Sequence, residues 1–317
     1  MRVARLLLLA GLIAFLFLGD VPEHTRFWEA LFDAGHAALF GAVALVLQSL
    51  LTRERGTGRG AASPAHAFGV TLILAAGSEV VQFLQPHRDV SVADFLRDAA
   101  GAGAFLLLDV AWRSRRSPGT APLTTRARVG AALAAVGLLA AAAGELIYTV
   151  SLYAARDRAF PTLYSLDGSW RERPFIVTGG NVLSADQAPE RTAAMDVGPL
   201  ARLDLKPGLY SGLTFDEPYP DWSGHQRLTF TVVSDLDRPL VLVIRVHDAT
   251  HDQRYADRFN RQLTIEPGVN RIAIPTDDIR RAPDRREMDL RRVRGIVIFA
   301  YKLERPLHLY LGPMRLE

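Results

Sequence analysis

The sequence predicts an α-helical membrane bundle of about five transmembrane helices followed by an all-β, jelly-roll-like sandwich. Three observations lead there. The first half of the 317-residue chain is rich in Ala, Leu and Gly and repeats long apolar runs. Each run approaches the ~20 residues needed to cross about 30 Å of hydrocarbon. The second half is polar and Pro-punctuated, and from Pro161 onward its apolar residues recur with period two instead.

Composition removes several function classes. The formal net charge of +3 gives no basic field for nucleic acid. Of 37 basic residues only Lys206 and Lys302 are lysines, which reads as a genomic bias. The absence of cysteine excludes disulfides, thiolate-bound zinc and thiol nucleophiles.

The helices follow in order. Arg2 and Arg5 precede an uncharged run from Leu6 to Gly19, which looks like a signal peptide. Bulky Phe17 and Leu18 stand where a cleavage site needs small residues, so the run reads as an uncleaved first helix. Further spans fall at 34–51, 67–84, 95–112 and 129–153. Positive charge gathers at the N-terminus, in the second loop (Arg53, Arg55, Arg59) and in the fourth (Arg113, Arg115, Arg116, Arg126, Arg128). The positive-inside rule then places the N-terminus in the cytoplasm and everything after about Arg156 outside. The domain limits expected are a four-helix membrane domain over 1–113, a basic cytoplasmic loop over 114–128, a fifth helix over 129–155 and an extracytoplasmic sandwich over 156–317. The small-residue runs at 99–104 and 131–143 suit close helix packing.

In the second half, Leu228, Phe230 and Val232 alternate with threonines, and Leu240, Leu242, Ile244 and Val246 alternate with Val241, Val243, Arg245 and His247. Ile296 and Ile298, then Leu307, Leu309 and Leu311, repeat the pattern. Turn signals at Lys206-Pro207-Gly208 and Glu266-Pro267-Gly268 separate the strands. Several short strands in about 150 residues predict a two-sheet sandwich. One face packs inward; the other carries Arg245, His247, His308 and Tyr310, which make either an ordinary solvated sheet face or side chains suited to stack on and hydrogen-bond sugars, and alternation does not show that they share one sheet.

The densest polar cluster, 247–261, holds His247, Asp248, His251, Asp252, Tyr255, Asp257 and Arg258. Three readings compete: a hairpin whose charged groups tie its own loop, a glycan site formed by Arg245, His247, Asp248, His251, Tyr255, Asp257 and Arg258, or a metal site. Oxygen ligands would suit Ca²⁺. The His-x-x-x-His spacing of a zinc site needs a helix, and His247 ends a strand. Trp222, in a loop before a strand, reads as either a packed hydrophobic plug, the favoured reading, or a rim aromatic.

Residues 78–103 put Glu79, Gln82, Arg88, Ser91, Asp94 and Asp98 between two apolar runs. Ionisable groups at membrane depth are costly and mark candidate functional sites. Glu79 and Gln82 share a helical face, Pro86 ends that helix, and Ser91 is placed to N-cap the next, with Asp94 closing a box-like cap. Arg88, Arg97 and His36 are candidate partners of Glu79. His36, Glu79, Gln82, Arg88, Ser91 and Asp94 together make a candidate polar cleft.

The set Asp33-x-x-His36, then Glu79-x-x-Gln82-x-x-x-Pro86-x-Arg88-x-x-Ser91-x-x-Asp94, then a Gly-rich helix with Gly101, resembles the VanZ-like family of small bacterial membrane proteins over about residues 1–113. Ala34, Gly35 and Asp98 to Ala100 depart from that pattern and leave the role of Asp98 open. The resemblance implies a multi-pass protein of the bacterial cytoplasmic membrane at the cell envelope, in a family whose founding member is associated with low-level teicoplanin resistance. The second half resembles carbohydrate-binding-module or galactose-binding-like sandwiches.

These readings favour a binding protein over an enzyme. Its bundle would take a membrane lipid or lipid-linked envelope precursor, and its sandwich a polysaccharide, with no cofactor beyond the Ca²⁺ candidate. The alternative is an enzyme on a lipid-linked precursor with Glu79 as acid or base. The membrane half contains no Ser-His-Asp set, phosphate loop or zinc motif. An anchor alone would need one helix rather than five.

Overall fold

A computed structural model describes residues 2–18, 22–54, 63–83, 91–116, 123–186 and 199–317. The chain divides into two compact units, Met1–Ser151 and Leu152–Glu317.

The first unit is helical: α1 (Arg2–Leu18), α2 (Arg26–Glu54), α3 (Pro64–Phe83), α4 (Val92–Arg116), α5 (Thr125–Ala142) and the start of α6 (Gly144–Ala159). Among the described residues three helices are long and apolar enough to cross a membrane: α2, α3 and α5. α1 has 17 residues, and Asp94, Arg97, Asp98 and Asp109 interrupt α4. The predicted fifth span, 129–153, is two helices. Ala143 breaks the assignment, with φ −86° and ψ 1°, while Ala143 N–H donates to Leu139 O and Ile147 N–H to Ala143 O across the break. The predicted loop over 114–128 is also shorter, because α4 continues to Arg116 and Thr124 N-caps α5 by accepting from Ala127 N–H.

α2 and α4 pack most closely where their side chains are smallest. A Cβ on Gly101 would lie 1.9 Å from Ala37 O, so only glycine allows this approach. One turn further on, a Cβ on Gly41 would lie 2.5 Å from the Phe105 ring. Ala44, Ala67, Ala102 and Leu106 close a small buried cluster beside it.

The second unit is a sandwich of twelve strands. They are β1 (Thr162–Tyr164), β2 (Ile176–Val177), β3 (Val182–Asp186), β4 (Leu200–Leu205), β5 (Gly208–Asp216), β6 (Arg227–Ser234), β7 (Leu240–Asp248), β8 (Phe259–Ile265), β9 (Gly268–Pro275), β10 (Val293–Leu303), β11 (Leu307–Leu311) and β12 (Met314–Leu316). Seven form one sheet in the order β1-β12-β6-β11-β4-β3, with β9 also on β6; the other sheet runs β2-β5-β10-β7-β8. All described pairings are antiparallel, and the chain passes from sheet to sheet between β4, β5, β6 and β7, as in a jelly roll. A one-turn helix, α7 (Thr276–Arg280), follows β9.

Alternation sets the core. Leu213 and Phe215, Ile296 and Ile298, and Leu242, Ile244 and Val246 point inward from the five-stranded sheet. They meet Leu203, Leu205, Leu228, Phe230, Leu309 and Leu311 of the other, all at 4 % exposure or less. Trp222 is the predicted plug: its ring is fully buried and its indole N–H donates to Tyr219 O at 2.8 Å, so no polar atom is stranded. The C-terminal end of α6 joins this unit. Leu152 enters the core, the Tyr153 hydroxyl donates to the Glu217 carboxylate, and Arg156 Nη1 donates to Glu217 O at 3.1 Å.

Candidate functional site

Two polar assemblies stand out, one in each unit. In the helical unit the polar residues gather at the N-terminal end of α4. Ser91 caps that helix: its Oγ accepts from Asp94 N–H at 3.2 Å. The box-like cap expected of Asp94 is not what forms, because the Asp94 carboxylate accepts from Arg97 Nη1 at 2.5 Å. Glu79 supplies the second half of the cap instead, reaching from α3 so that its Oε2 accepts from Ser91 N–H at 3.0 Å. Glu79 is 6 % exposed and its Oε1 has no partner among the described residues.

The candidate partners of Glu79 are committed elsewhere. His36 Nδ1 donates to Asp98 Oδ1 at 3.2 Å, one turn from the Gly101 contact, and Asp98 is wholly buried with Oδ2 unpartnered. Arg97 lies 3.2 Å from Asp33, and it also pairs with Asp94 and with Glu145 of α6. Asp98, whose role the sequence leaves open, is thus the residue held by His36, and Glu145 joins a network of which the sequence carries no sign. Arg88 lies outside the described residues, as does the side chain of Gln82.

In the sandwich, the outer face of the five-stranded sheet carries exposed and half-buried side chains, among them Tyr210, Tyr301, Phe299 and Arg245. Register sorts it into rows two residues apart. Tyr210 stands opposite Tyr301; Gly212 opposite Phe299, with Val243 and Gln262 in line; Thr214 opposite Val297, with Arg245 and Asn260; and Asp216 opposite Gly295, with His247. The rows from Tyr301 to Gly295 span about 20 Å at ~3.3 Å per residue. At one end Tyr210 contacts Phe299 and Tyr301 with ring centroids 5.5 and 5.4 Å apart, and both tyrosines are more than half exposed. At the other end the His247 ring lies across Gly295, where an added Cβ would sit 2.5 Å from its Cε1. Arg258, just before β8, extends the His247 row.

Arg245, His247, Tyr255 and Arg258 of the predicted set are therefore at or beside this face, and Tyr255 is 73 % exposed. Burial, with Arg245 beside it, pushes the His247 imidazole down to about 4, so it is neutral at pH 7. Burial likewise lowers Arg245, with Arg258 opposing it too.

Asp248 and Asp257 are occupied otherwise. Arg286, from the segment before β10, donates through Nη1 and Nη2 to the two oxygens of Asp248 at 2.5 and 2.8 Å, and through Nε and Nη2 to those of Asp257 at 2.5 and 3.0 Å. Asp289 N–H at 2.8 Å and Thr250 Oγ1 at 3.2 Å complete the shell of Asp248, which is 1 % exposed. The Arg286 hydrogen bonds hold the Asp257 carboxyl well below the usual range; burial alone would raise Asp248, but the same partners bring it below that range too. Of the three readings of this cluster, the loop tie describes these two aspartates. His251, Asp252 and Asp257 present ligand atoms within 4.8 Å of one another. Both Asp257 oxygens already accept hydrogen bonds, one Asp252 oxygen accepts Arg254 N–H, and His251 Nδ1 donates to Asp257 O at 3.0 Å. Asp252 and Asp257 would supply at most four carboxylate oxygens, and Ca²⁺ takes six to eight oxygen ligands.

His308 and Tyr310, grouped with Arg245 and His247 by alternation, belong to β11 of the other sheet. There His308 donates to Asp235 at 2.8 Å and Tyr310 is buried beside Leu200 and Val233.

No family model matches the chain, and no curated protein matches it. The C-terminal sandwich resembles carbohydrate-binding modules among solved structures. One is a family 11 module from Clostridium thermocellum in complex with a β-1,3-1,4-mixed-linked tetrasaccharide, at 15% identity and TM-score 0.32, covering 43% of this chain and 83% of that one. Another is a non-crystalline cellulose specific module of family 28, at 15% identity and TM-score 0.34, covering 50% and 93%. An exo-β-agarase matches at 16% identity and TM-score 0.37, covering 49% of this chain and 25% of its own.

Proposed function

We propose that the chain is a non-enzymatic membrane protein of the bacterial cell envelope whose sandwich binds glycan along the outer face of the five-stranded sheet. One observation carries this reading. That face sets two exposed tyrosines at one end and Gln262, then Thr214, Arg245 and Asn260, then His247 in successive rows toward the other. Aromatic faces stack on the apolar side of a pyranose ring, and the amide, hydroxyl and guanidinium groups match its hydroxyls. The helices embed the protein in the cytoplasmic membrane. Loop charge supports an N-terminus in the cytoplasm and the sandwich outside.

The helical unit takes a membrane lipid or lipid-linked envelope precursor at the polar end of α4. Its motif residues ally it with the VanZ-like family, and a role in glycopeptide resistance would follow from that alliance. The experiment is retention of the full chain, in neutral detergent micelles, on immobilised polysaccharides. Tyr210→Ala and Tyr301→Ala should each weaken retention several-fold; retention unchanged by both moves the site off this face.

A second reading has one observation in its favour. Glu79 is buried with one oxygen unpartnered, as an acid or base on a lipid-linked precursor would be. Turnover of such a precursor by the full chain in vesicles, lost in Glu79→Gln, would replace the non-enzymatic reading.

A further inference from the structure

Arginine in the sandwich follows a pattern with one exception. Among the described residues of 152–317, eight arginines are half-buried: Arg156, Arg202, Arg245, Arg258, Arg261, Arg280, Arg286 and Arg294. Six of them pair with a carboxylate, namely Asp157, Asp204, Asp278, Asp277, Asp248 and Glu217 respectively. The two without an acidic partner are Arg245 and Arg258, and these two are neighbours. Arg245 stands opposite Asn260, so Arg258 lies on the adjoining diagonal of the same outer face. Nε of each is buried and makes no hydrogen bond. The Tyr255 ring lies 5.5 Å from the Arg258 guanidinium carbon.

Two like charges side by side on a strand pair destabilise it. This fold pairs its other half-buried arginines, so the exception points to a partner from outside the chain. The surroundings fit an anion. Asp248 and Asp257 of the same hairpin are turned to Arg286, and Asp252, the third acid there, lies 3.5 Å from Arg254. Asp216, in the His247 row, is set off from it by β10. His247, two residues from Arg245 on β7, leaves Nδ1 unpartnered among the described residues. A planar guanidinium takes a carboxylate, sulfate or phosphate group through two parallel N–H donors.

We propose that the glycan taken by this face is an acidic one, a polysaccharide whose carboxylate, sulfate or phosphate groups are held by Arg245 and Arg258 while its rings lie toward Tyr210 and Tyr301. This rests on the glycan-binding reading above and narrows it to a chemical class.

The test uses the full chain in neutral detergent micelles and matched polymers: dextran, carboxymethyl-dextran and dextran sulfate on one backbone, then polygalacturonate and its methyl ester. Retention on the acidic members should exceed that on the neutral members. Arg245→Gln and Arg258→Gln should each weaken it about ten-fold or more, the size expected for a lost charge-assisted hydrogen bond. Arg305→Gln, which removes one exposed charge from the β10–β11 turn, should leave it within about two-fold. Unchanged melting temperatures in these variants keep loss of fold out of the result. Equal weakening by all three variants would mean general ion exchange and overturn the proposal. Equal retention on neutral and acidic polymers, lost in Tyr301→Ala, would overturn the acidic class and leave the glycan reading standing. No retention on any polymer would overturn both. Binding to phosphatidylglycerol vesicles but not to acidic polymers would reassign the two arginines to a lipid surface and overturn it also.

Discussion

Arg286→Met is the most informative single perturbation of the sandwich. It removes four of the hydrogen bonds made to two carboxylates while keeping a side chain of similar length. Asp257 is partly exposed and would recover some hydration, but Asp248 is 1 % exposed and would keep its charge with only Asp289 N–H and Thr250 Oγ1 as donors. Breaking a buried pair from one side costs about 3–5 kcal/mol, because the remaining charge is stranded. The Arg286 side chain is 28 % exposed, so the lower half of that range is expected. At roughly 2–4 °C per kcal/mol for a unit of this size, the melting temperature should fall by about 6–16 °C. The assay is thermal unfolding of the full chain in micelles, with hydrogen exchange over 240–265 assigning the transition to the sandwich. Adding Asp248→Asn should restore part of the loss, since the stranded charge is then gone. A shift under about 2 °C, or no restoration in the double variant, would refute the claim that Arg286 holds a buried charge rather than decorating a solvated loop.

Other expectations follow from the same contacts. His247 is held at about 4, below its ordinary 6.5, so in the window between them the unfolded chain binds a proton that the folded one refuses. Stability should therefore fall as pH drops from about 6.5 to 4, by at most ~3 kcal/mol, and His247→Gln should flatten that slope in denaturant titrations. Asp248 and Asp257 act lower, because their depressed carboxyls lose their contribution only as pH falls below the unfolded carboxylate value near 3.9. In the helical unit, Gly101→Ala drives a methyl group into Ala37 O, a backbone atom, whereas Gly41→Ala meets the Phe105 ring, which is able to rotate. Thermal melts in detergent should show the first losing well over twice what the second loses; the reverse order would deny the close α2–α4 approach. Glu79→Ala should lower the same melt by about 1–2 kcal/mol through the lost cap, while Glu79→Gln, which keeps an acceptor for Ser91 N–H, should stay within ~0.5 kcal/mol of the parent.

Architecture was legible in the sequence wherever it depends on period. Alternation in 240–247 and 296–299 gives β7 and β10 with the correct inward faces, since a one-residue slip would turn every core side chain outward. Ser91 as an N-cap was legible for a similar reason, because the cap is local. What lay beyond reach was pairing across the chain. Alternation placed Arg245, His247, His308 and Tyr310 on outer faces alike and had no means to say that two sheets divide them. Asp248 and Asp257 carried a sugar-binding look, but their partner is 38 and 29 residues away in a segment with no periodicity. The aromatic trio had a faint signal: Phe299 and Tyr301 share a parity opposite to Ile296 and Ile298, and Tyr210 follows the Lys206-Pro207-Gly208 turn. Only the β5–β10 register joins them.

Both polar assemblies submit to the same accounting of hydrogen-bonding atoms, and it separates two kinds of charged residue. Arg286, Asp248 and Asp257 form a network in which each carboxylate oxygen has a donor, and Arg97 answers three acids around the start of α4. Such closed networks fix loop and helix geometry and present little to a ligand. Among the described residues the open atoms include Asp98 Oδ2, Glu79 Oε1 and Gln48 Oε1 in the helices, and Nε of Arg245 and Arg258, Nδ1 of His247 and of His225, and Nε2 of His251 in the sandwich. Buried polar atoms are nearly always satisfied, so each open one marks a place where the fold alone does not account for the residue. Glu79 sits in both classes. One of its oxygens caps α4 and is structural, and the other is open. Its substitution by glutamine retains the first role and removes the charge of the second, which is why that variant, more than alanine, distinguishes a helix cap from a group that handles a ligand or a proton.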